Sequence, residues 1–318
     1  MRSACLPNFF LAGAPKTGTT SLYHYLRQHP DIYLTAVKEP CFFATEMRPD
    51  NFSRQFAVSM RQSSLNLLKY LDGPMSGHNP GGIITDWNRY LELFKNVTTE
   101  TAIGEASACY LWSAKAPANI HAQIPNAKIV VILRDPVERA FSQYLQYAAG
   151  GLLTRGFRQH VDLCLRNNAP IFGLLSPFLE YGLYYEQVKR YLDLFSPPQV
   201  RIYLYEEAWR NPQQLLRDLF CFLGVDVQVE VDTSVRSLQR RAPKWTSMQY
   251  LLRKSGLLPV VKRLLPASFQ EHLRAALFRQ KSSLQLDPKD RQYVIEYYRD
   301  DIQNLSNLLG RDLGAWLK

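Results

Sequence analysis

The sequence predicts an α/β protein in which a central parallel sheet is flanked by helices. Three observations carry this expectation. Two runs, Phe9 to Gly13 and Lys128 to Leu133, are apolar with little alternation, as strands covered on both faces are. Strand-like runs are followed by segments of helical period, and that succession recurs along the chain, as it does where helices cross over a parallel sheet. A glycine-bearing turn, Gly13 to Thr20 (GAPKTGTT), joins the first strand to the first helix.

The elements follow in order. After the strand Phe9 to Gly13, helical periodicity runs from Ser21 to Gln28. Residues 46 to 100 are less regular, and Gly73-Pro74, Gly77 and Pro80-Gly81-Gly82 mark loops, so ligand-side insertions are expected there. The β-branched run Lys128 to Leu133 is a strand, Val137 to Ala149 and Tyr181 to Phe195 are helices, and Val200 to Tyr205 is a third strand. A helix from Pro212 to Leu223 stops at Gly224, and a last one from Pro288 to Leu309 stops at Gly310. Between them, Arg236 to Ser283 is basic, with Arg240, Arg241, Lys244, Arg253, Lys254, Lys262 and Arg263 interleaved with apolar residues. That pattern suits a snorkelling surface helix pair or a lid over an anionic ligand. With no repeat or linker, residues 1–318 are expected to form a single domain, with 46–100 as insertions and 236–283 as a basic, lid-like helical region.

The 38 Lys and Arg residues outnumber 28 Asp and Glu, and the net charge of +10 favours anionic partners: a nucleotide, an acidic glycan or nucleic acid. Cys5, Cys41, Cys109, Cys164 and Cys221 contain no C-x-x-C pair, which argues against a zinc cluster or a dense disulfide framework and suits a reducing compartment. No run reaches the ~18 apolar residues of a membrane span. A cytoplasmic location is therefore expected, with the Golgi lumen as the alternative for a chain cut from a membrane-anchored enzyme. Asn51, Asn96 and Asn304 stand in Asn-x-Ser/Thr triplets, which keeps a secretory origin open.

A glycine turn feeding a helix N-terminus presents backbone N–H groups and the positive end of the helix dipole to an anion. Gly13 and Gly18 have the spacing of the nucleotide-hydrolase loop G-x-x-x-x-G-K-[ST], but Thr19 stands where that loop has lysine. The cation is Lys16, inside the loop. A second motif follows the strand at Leu133: Arg134-Asp135-Pro136, then Arg139, Ser142 and Tyr144 on a helix.

These segments resemble the 5′-phosphosulfate-binding loop and the 3′-phosphate motif of sulfotransferases that use 3′-phosphoadenosine 5′-phosphosulfate (PAPS). Lys38-Glu39-Pro40 with Phe42-Phe43, Gly104 to Leu111 and Tyr297 to Leu313 are similar to the glycan-type, heparan sulfate-like and bacterial branch of that family. The resemblance implies a P-loop-like fold, PAPS as co-substrate, the bisphosphate PAP as product and no required metal. It implies that Thr17, Gly18, Thr19 and Thr20 hold the 5′-phosphate and Arg134 and Ser142 the 3′-phosphate, while Arg240 and Arg241 cap the nucleotide. Glu39 is then the general base, Lys16 sits at the bridging oxygen of the leaving group, and Lys38 steadies the sulfuryl oxygens. Some relatives have His two places and Asp five places after the base, where this chain has Cys41 and Ala44. The acceptor implied is a carbohydrate hydroxyl or amine, or else a small molecule, with the insertions at 46–100 on the acceptor side, and nucleic acid is not expected as a partner. Two other readings compete: a kinase or NTPase, which wants lysine at position 19 and an Asp on Mg²⁺, and a nucleic-acid-binding protein using the basic stretch.

Overall fold

The computed structural model describes residues 5–75, 81–167, 171–234, 242–243, 278–279 and 285–318. In chain order its elements are β1 (Phe9–Gly13), α1 (Thr19–Leu26), β2 (Ile32–Leu34), α2 (Arg54–Leu71), α3 (Trp87–Leu91), β3 (Ala102–Ala106), α4 (Cys109–Trp112) and α5 (Ala116–Gln123). There follow β4 (Lys128–Leu133), α6 (Pro136–Ala149), α7 (Phe157–Leu165), α8 (Tyr184–Leu194), β5 (Val200–Leu204), α9 (Tyr205–Ala208), α10 (Pro212–Leu223) and the C-terminal helix α11 (Pro288–Leu309). The five strands form one sheet in the order β2-β3-β1-β4-β5, and every pairing is parallel.

Alternation along each strand feeds two separate cores. Phe10, Ile129, Val131 and Leu133 pack on one face against buried residues of α5, α6, α8 and α11. Phe9, Leu11, Val130 and Ile132 pack on the other against α1 and α10. Because both faces are covered, the central strands are apolar at almost every position. Burying a phenylalanine fully contributes about 1.5–3 kcal/mol, so Phe9 and Phe10, both 0% exposed, pin β1 from opposite sides.

Strands β1 and β4 and helices α10 and α11 have the bounds expected from sequence. Helix α1 starts two residues earlier than its periodicity suggested, at Thr19, and β5 ends one residue sooner, at Leu204. The expected helix Tyr181 to Phe195 begins at Tyr184, because Glu180–Gly182 forms a separate 3-10 turn. Residues 46–100 are more regular than expected: an 18-residue helix, α2, occupies Arg54–Leu71. Its described side chains are mostly exposed or half-buried, with Leu67 and Leu71 the buried ones, so the hydrophobic pattern was faint. The basic stretch from Arg236 to Ser283 lies outside the described residues, apart from an antiparallel pairing of Ala242–Pro243 with Phe278–Arg279.

The sheet order places β1 centrally, with its connection to β2 leaving on one side and β4 lying on the other. Ligands of open α/β sheets bind where neighbouring connections diverge, beyond the carboxyl ends of the strands. The ends of β1, β3 and β4 lead to the loop after Gly13, to Ser107 and to Arg134.

Candidate active site

Beyond β1 the chain turns through Ala14 to Gly18 into α1. Lys16 (φ 69°) and Gly18 (φ 85°) both have left-handed backbone. Glycine is required at position 18 by conformation and by space, since a Cβ would lie 2.6 Å from the Trp209 ring. Trp209 Nε1–H donates to the Thr17 carbonyl (3.0 Å) and braces the loop. The Thr17 hydroxyl turns inward to donate to the Ala14 carbonyl (2.7 Å), so this side chain shapes the turn. Lys16, Gly18, Thr19 and Thr20 border a cavity of about 690 Å³. Lys16 Nζ donates to Gln146 Oε1 on α6 (3.0 Å).

At the end of β4, Arg134 is 7% exposed and also borders this cavity. Its guanidinium donates to the Lys16 carbonyl (3.2 Å) and to Glu138 (3.2 Å), and lies 4.6 Å from the centre of the Tyr205 ring. The second motif is thus tied directly to the first. Ser142 borders the cavity from α6. Arg139 does not: it is fully buried, donating to Gln143 and to the Phe178 carbonyl, both at 2.5 Å. Tyr144 donates to the Arg155 carbonyl (2.9 Å). Asp135 caps α6, accepting from the N–H groups of Val137 (2.9 Å) and Glu138 (3.1 Å), and its other oxygen pairs with Arg291 (2.6 Å).

A further part of the cavity wall carries Lys38 and Glu39. Glu39 has left-handed backbone (φ 62°), and its N–H donates to the Ala106 carbonyl at the end of β3 (2.8 Å). One carboxylate oxygen meets Lys38 Nζ at 2.5 Å, and the other accepts from the Ala108 N–H at 2.7 Å. Beneath this turn lies Glu105, 0% exposed on β3. Its carboxyl accepts from the hydroxyls of Ser107 (2.5 Å), Tyr110 (2.8 Å) and Tyr90 (2.9 Å). The Ser107 hydroxyl accepts from the Cys41 N–H (3.1 Å) and the Tyr110 hydroxyl from the Phe43 N–H (3.3 Å). Glu105 therefore anchors the turn that carries Glu39 through two hydroxyl relays. Burial pushes the Glu105 carboxyl up to about 7, against the lowering effect of its three hydroxyl donors.

One cavity thus brings together Lys16, Thr19, Thr20, Arg134 and Ser142, from the ends of β1 and β4, with Lys38 and Glu39, from the turn beyond β2. Its volume is that of a small-molecule site. Arg240 and Arg241 lie outside the described residues. Sequence reasoning passed over Gln146, Tyr147, Tyr205, Trp209 and Cys109, which also border the cavity. The spacing of Gln143, Gln146 and Tyr147 after Ser142, on one helical face, was the available signal for α6. Trp209 and Cys109 had none, since their placement depends on the fold. Ligand atoms of Glu39, Cys41 and Cys109 lie within 4.8 Å of one another, a grouping that cysteine spacing did not reveal.

A parallel sheet with this loop at the end of its central strand defines a P-loop-like nucleotide-binding fold. The chain belongs to the sulfotransferase family, whose model matches residues 7–229. A sulfotransferase of known structure from Alicyclobacillus acidocaldarius is 30% identical, with a TM-score of 0.72 over 99% of this chain and 100% of that one. Carbohydrate sulfotransferase 15 of Mus musculus is 28% identical over 80% of this chain. The membrane-associated sulfotransferase kil1 of Dictyostelium discoideum is 22% identical over 97% of this chain and 66% of its own length. The chain spans about half (52%) of the length of the carbohydrate sulfotransferase.

These relatives overturn the expected cytoplasmic location, since kil1 is membrane-associated by name. The cysteine evidence behind that expectation was weak for a physical reason. Spacing along the chain does not report proximity, and Cys41 and Cys109, far apart in sequence, meet in the fold with their sulfurs 3.0 Å apart. Among the described residues, no helix is long and apolar enough to cross a membrane.

Proposed function

We propose that this chain moves a sulfuryl group from PAPS to a hydroxyl or amine of a carbohydrate, with Glu39 as general base. The observation that carries the reading is the convergence of three cations and a carboxylate on one cavity. Lys16 and Arg134 line it from the β1 and β4 ends, and the Lys38–Glu39 pair lines it from the turn beyond β2. The carbohydrate assignment rests on the carbohydrate sulfotransferase among the relatives.

The residues present fit the nucleotide chemically. Arg134 offers a guanidinium held by Lys16, Glu138 and Tyr205, which suits a fixed two-pronged phosphate contact, with Ser142 as a further donor. The loop and the first turn of α1 supply backbone N–H groups and positive dipole to a 5′-phosphate. When bound, PAPS supplies the activated sulfuryl group and a phosphate leaving group.

The protein's own part is positioning and proton transfer. Glu39 takes the acceptor proton, and a carboxylate already accepting from Lys38 and the Ala108 N–H is held with its orientation fixed. Lys16, on the cavity surface, neutralises negative charge developing on the leaving side, and Lys38 steadies the sulfuryl oxygens. Asp135, committed to the α6 cap and to Arg291, disfavours the rival in which this residue would carry Mg²⁺ for a kinase or NTPase.

Titration with adenosine 3′,5′-bisphosphate, ATP with magnesium and a DNA duplex separates the readings. The bisphosphate is expected to bind most tightly and to protect the fold against heat. Preferential binding of ATP with magnesium, or of DNA, would refute the sulfotransfer assignment.

A further inference from the structure

We propose that Cys41 and Cys109 are a modification site, a dithiol that reacts with small-molecule disulfides of the glutathione type and, once joined, disables Glu39. The pairing itself stands on geometry alone, and its effect on turnover rests on the reading of Glu39 as base. The two Sγ atoms lie 3.0 Å apart. Both cysteines are 5% exposed, and both border the cavity, so a small oxidant entering where substrates enter meets them. Cys5, Cys164 and Cys221, the remaining cysteines, do not border it.

The position of the pair gives it leverage. Cys41 lies on the turn two residues after Glu39, and its thiol donates to the Glu39 carbonyl (3.4 Å). Cys109 opens α4 immediately after Ala108, whose N–H holds the Glu39 carboxylate. A covalent bridge would therefore staple together the two segments whose relative position sets the base. Forming an S–S bond draws the sulfurs closer by about 1 Å. A catalytic group displaced by that amount loses most of its advantage, since productive geometry tolerates about 0.5 Å.

The order of attack follows from the hydrogen bonding. The Cys109 thiol donates to the Cys41 sulfur, so its proton lies between the two sulfurs. Burial, with the Cys41 contact next, pushes the Cys109 thiol well up, so Cys109 stays protonated while Cys41 attacks. The Cys41 thiolate breaks the S–S bond of the small disulfide and forms a mixed disulfide, and the released thiolate takes up a proton. Cys109 then gives up its proton and attacks the Cys41 sulfur, expelling the second small thiol. Two protein thiols are oxidised by two electrons, and one small disulfide is reduced to two thiols.

The test treats the full chain with oxidised glutathione, alkylates the remaining thiols and maps peptides by mass spectrometry, following turnover in parallel. The expected result is a cross-linked Cys41–Cys109 peptide and a loss of turnover of about tenfold or more, reversed by dithiothreitol. Affinity for adenosine 3′,5′-bisphosphate should change by less than about twofold, because the donor wall is untouched. Cys41→Ser, which lacks the attacking thiol, should keep its own untreated turnover through the oxidation, Cys109→Ser should retain one glutathione on Cys41 as an unresolved mixed disulfide, and Cys221→Ser should respond as the parent does. Separate alkylation of Cys41 and Cys109 in the treated protein would overturn the proposal, as would a complete cross-link with turnover intact. The cross-link in the parent protein is read without any variant, so a misfolded serine variant does not remove the test. If Glu39→Gln turned over normally, the base assignment would fail while the mass spectrum still decided the pairing.

Discussion

The two walls of the cavity are built in different ways. The Lys16 wall comes from contiguous stretches: a strand, a glycine turn and a helix on one side, and β4, Arg134 and α6 on the other. Few contacts outside those stretches are needed, Trp209 beneath the loop and Tyr205 beneath Arg134 being the main ones. The Glu39 wall is assembled from afar. Its turn has left-handed backbone at Glu39 and Cys41 and is held by β3, Ser107, Tyr110 and the buried Glu105. Donor recognition is thus written locally, whereas placement of the proposed base depends on a buried polar network, where partial satisfaction is costly. Changes on the first wall should alter how the nucleotide is bound or released as leaving group, and changes beneath the second should alter turnover while leaving nucleotide affinity unchanged.

The largest effect on the first wall is expected for Lys16→Met. Loss of a cation at the leaving side should lower kcat by roughly 10²–10³-fold, checked by steady-state rates at saturating donor. A drop confined to KM would instead make Lys16 a ground-state contact. Arg134→Ala should next weaken discrimination between nucleotides with and without the 3′-phosphate by ~2–4 kcal/mol, measured by calorimetry with the bisphosphate and with AMP. Unchanged discrimination would place the 3′-phosphate elsewhere and break the division between the walls.

The smallest effect concerns Glu105 and depends on pH. Its carboxyl is raised from an ordinary 4.5 to about 7 in the folded protein, so the stability it contributes is full below the ordinary value and is lost as pH rises through about 7. Glu105→Gln removes that dependence. The variant should be less stable than the parent near pH ~5, with a deficit that narrows toward pH ~8, as read from thermal unfolding across that range. A deficit independent of pH would mean that Glu105 does not titrate in this window.

The same contrast explains what could be read from sequence. Strands β1 and β4 were legible to the residue because burial on both faces leaves a continuous apolar run. Strand β3 was not, because Gly104 and Glu105 interrupt Ala102–Ala106 although all five residues are buried. Gly104 is there for space, since a Cβ would come within 2.2 Å of the Phe9 ring, and Glu105 is tolerated by its three hydroxyl donors. The close approach of Phe9 to Gly104 is not visible without the fold. Lys16, Arg134 and Ser142 stood out as motifs, whereas Gln146, Trp209 and the meeting of Cys41 with Cys109 arise from tertiary placement. Arg139 shows the converse: it sits in the second motif yet serves the core.

The separation of the walls is tested most directly by Glu39→Gln, assayed for sulfuryl transfer and for adenosine 3′,5′-bisphosphate affinity in the same preparation. The expected result is a fall in kcat of about 10²–10⁴-fold with nucleotide affinity unchanged within about twofold. Retained turnover, or a loss of nucleotide affinity as large as the loss of rate, would contradict the assignment of Glu39 as the base.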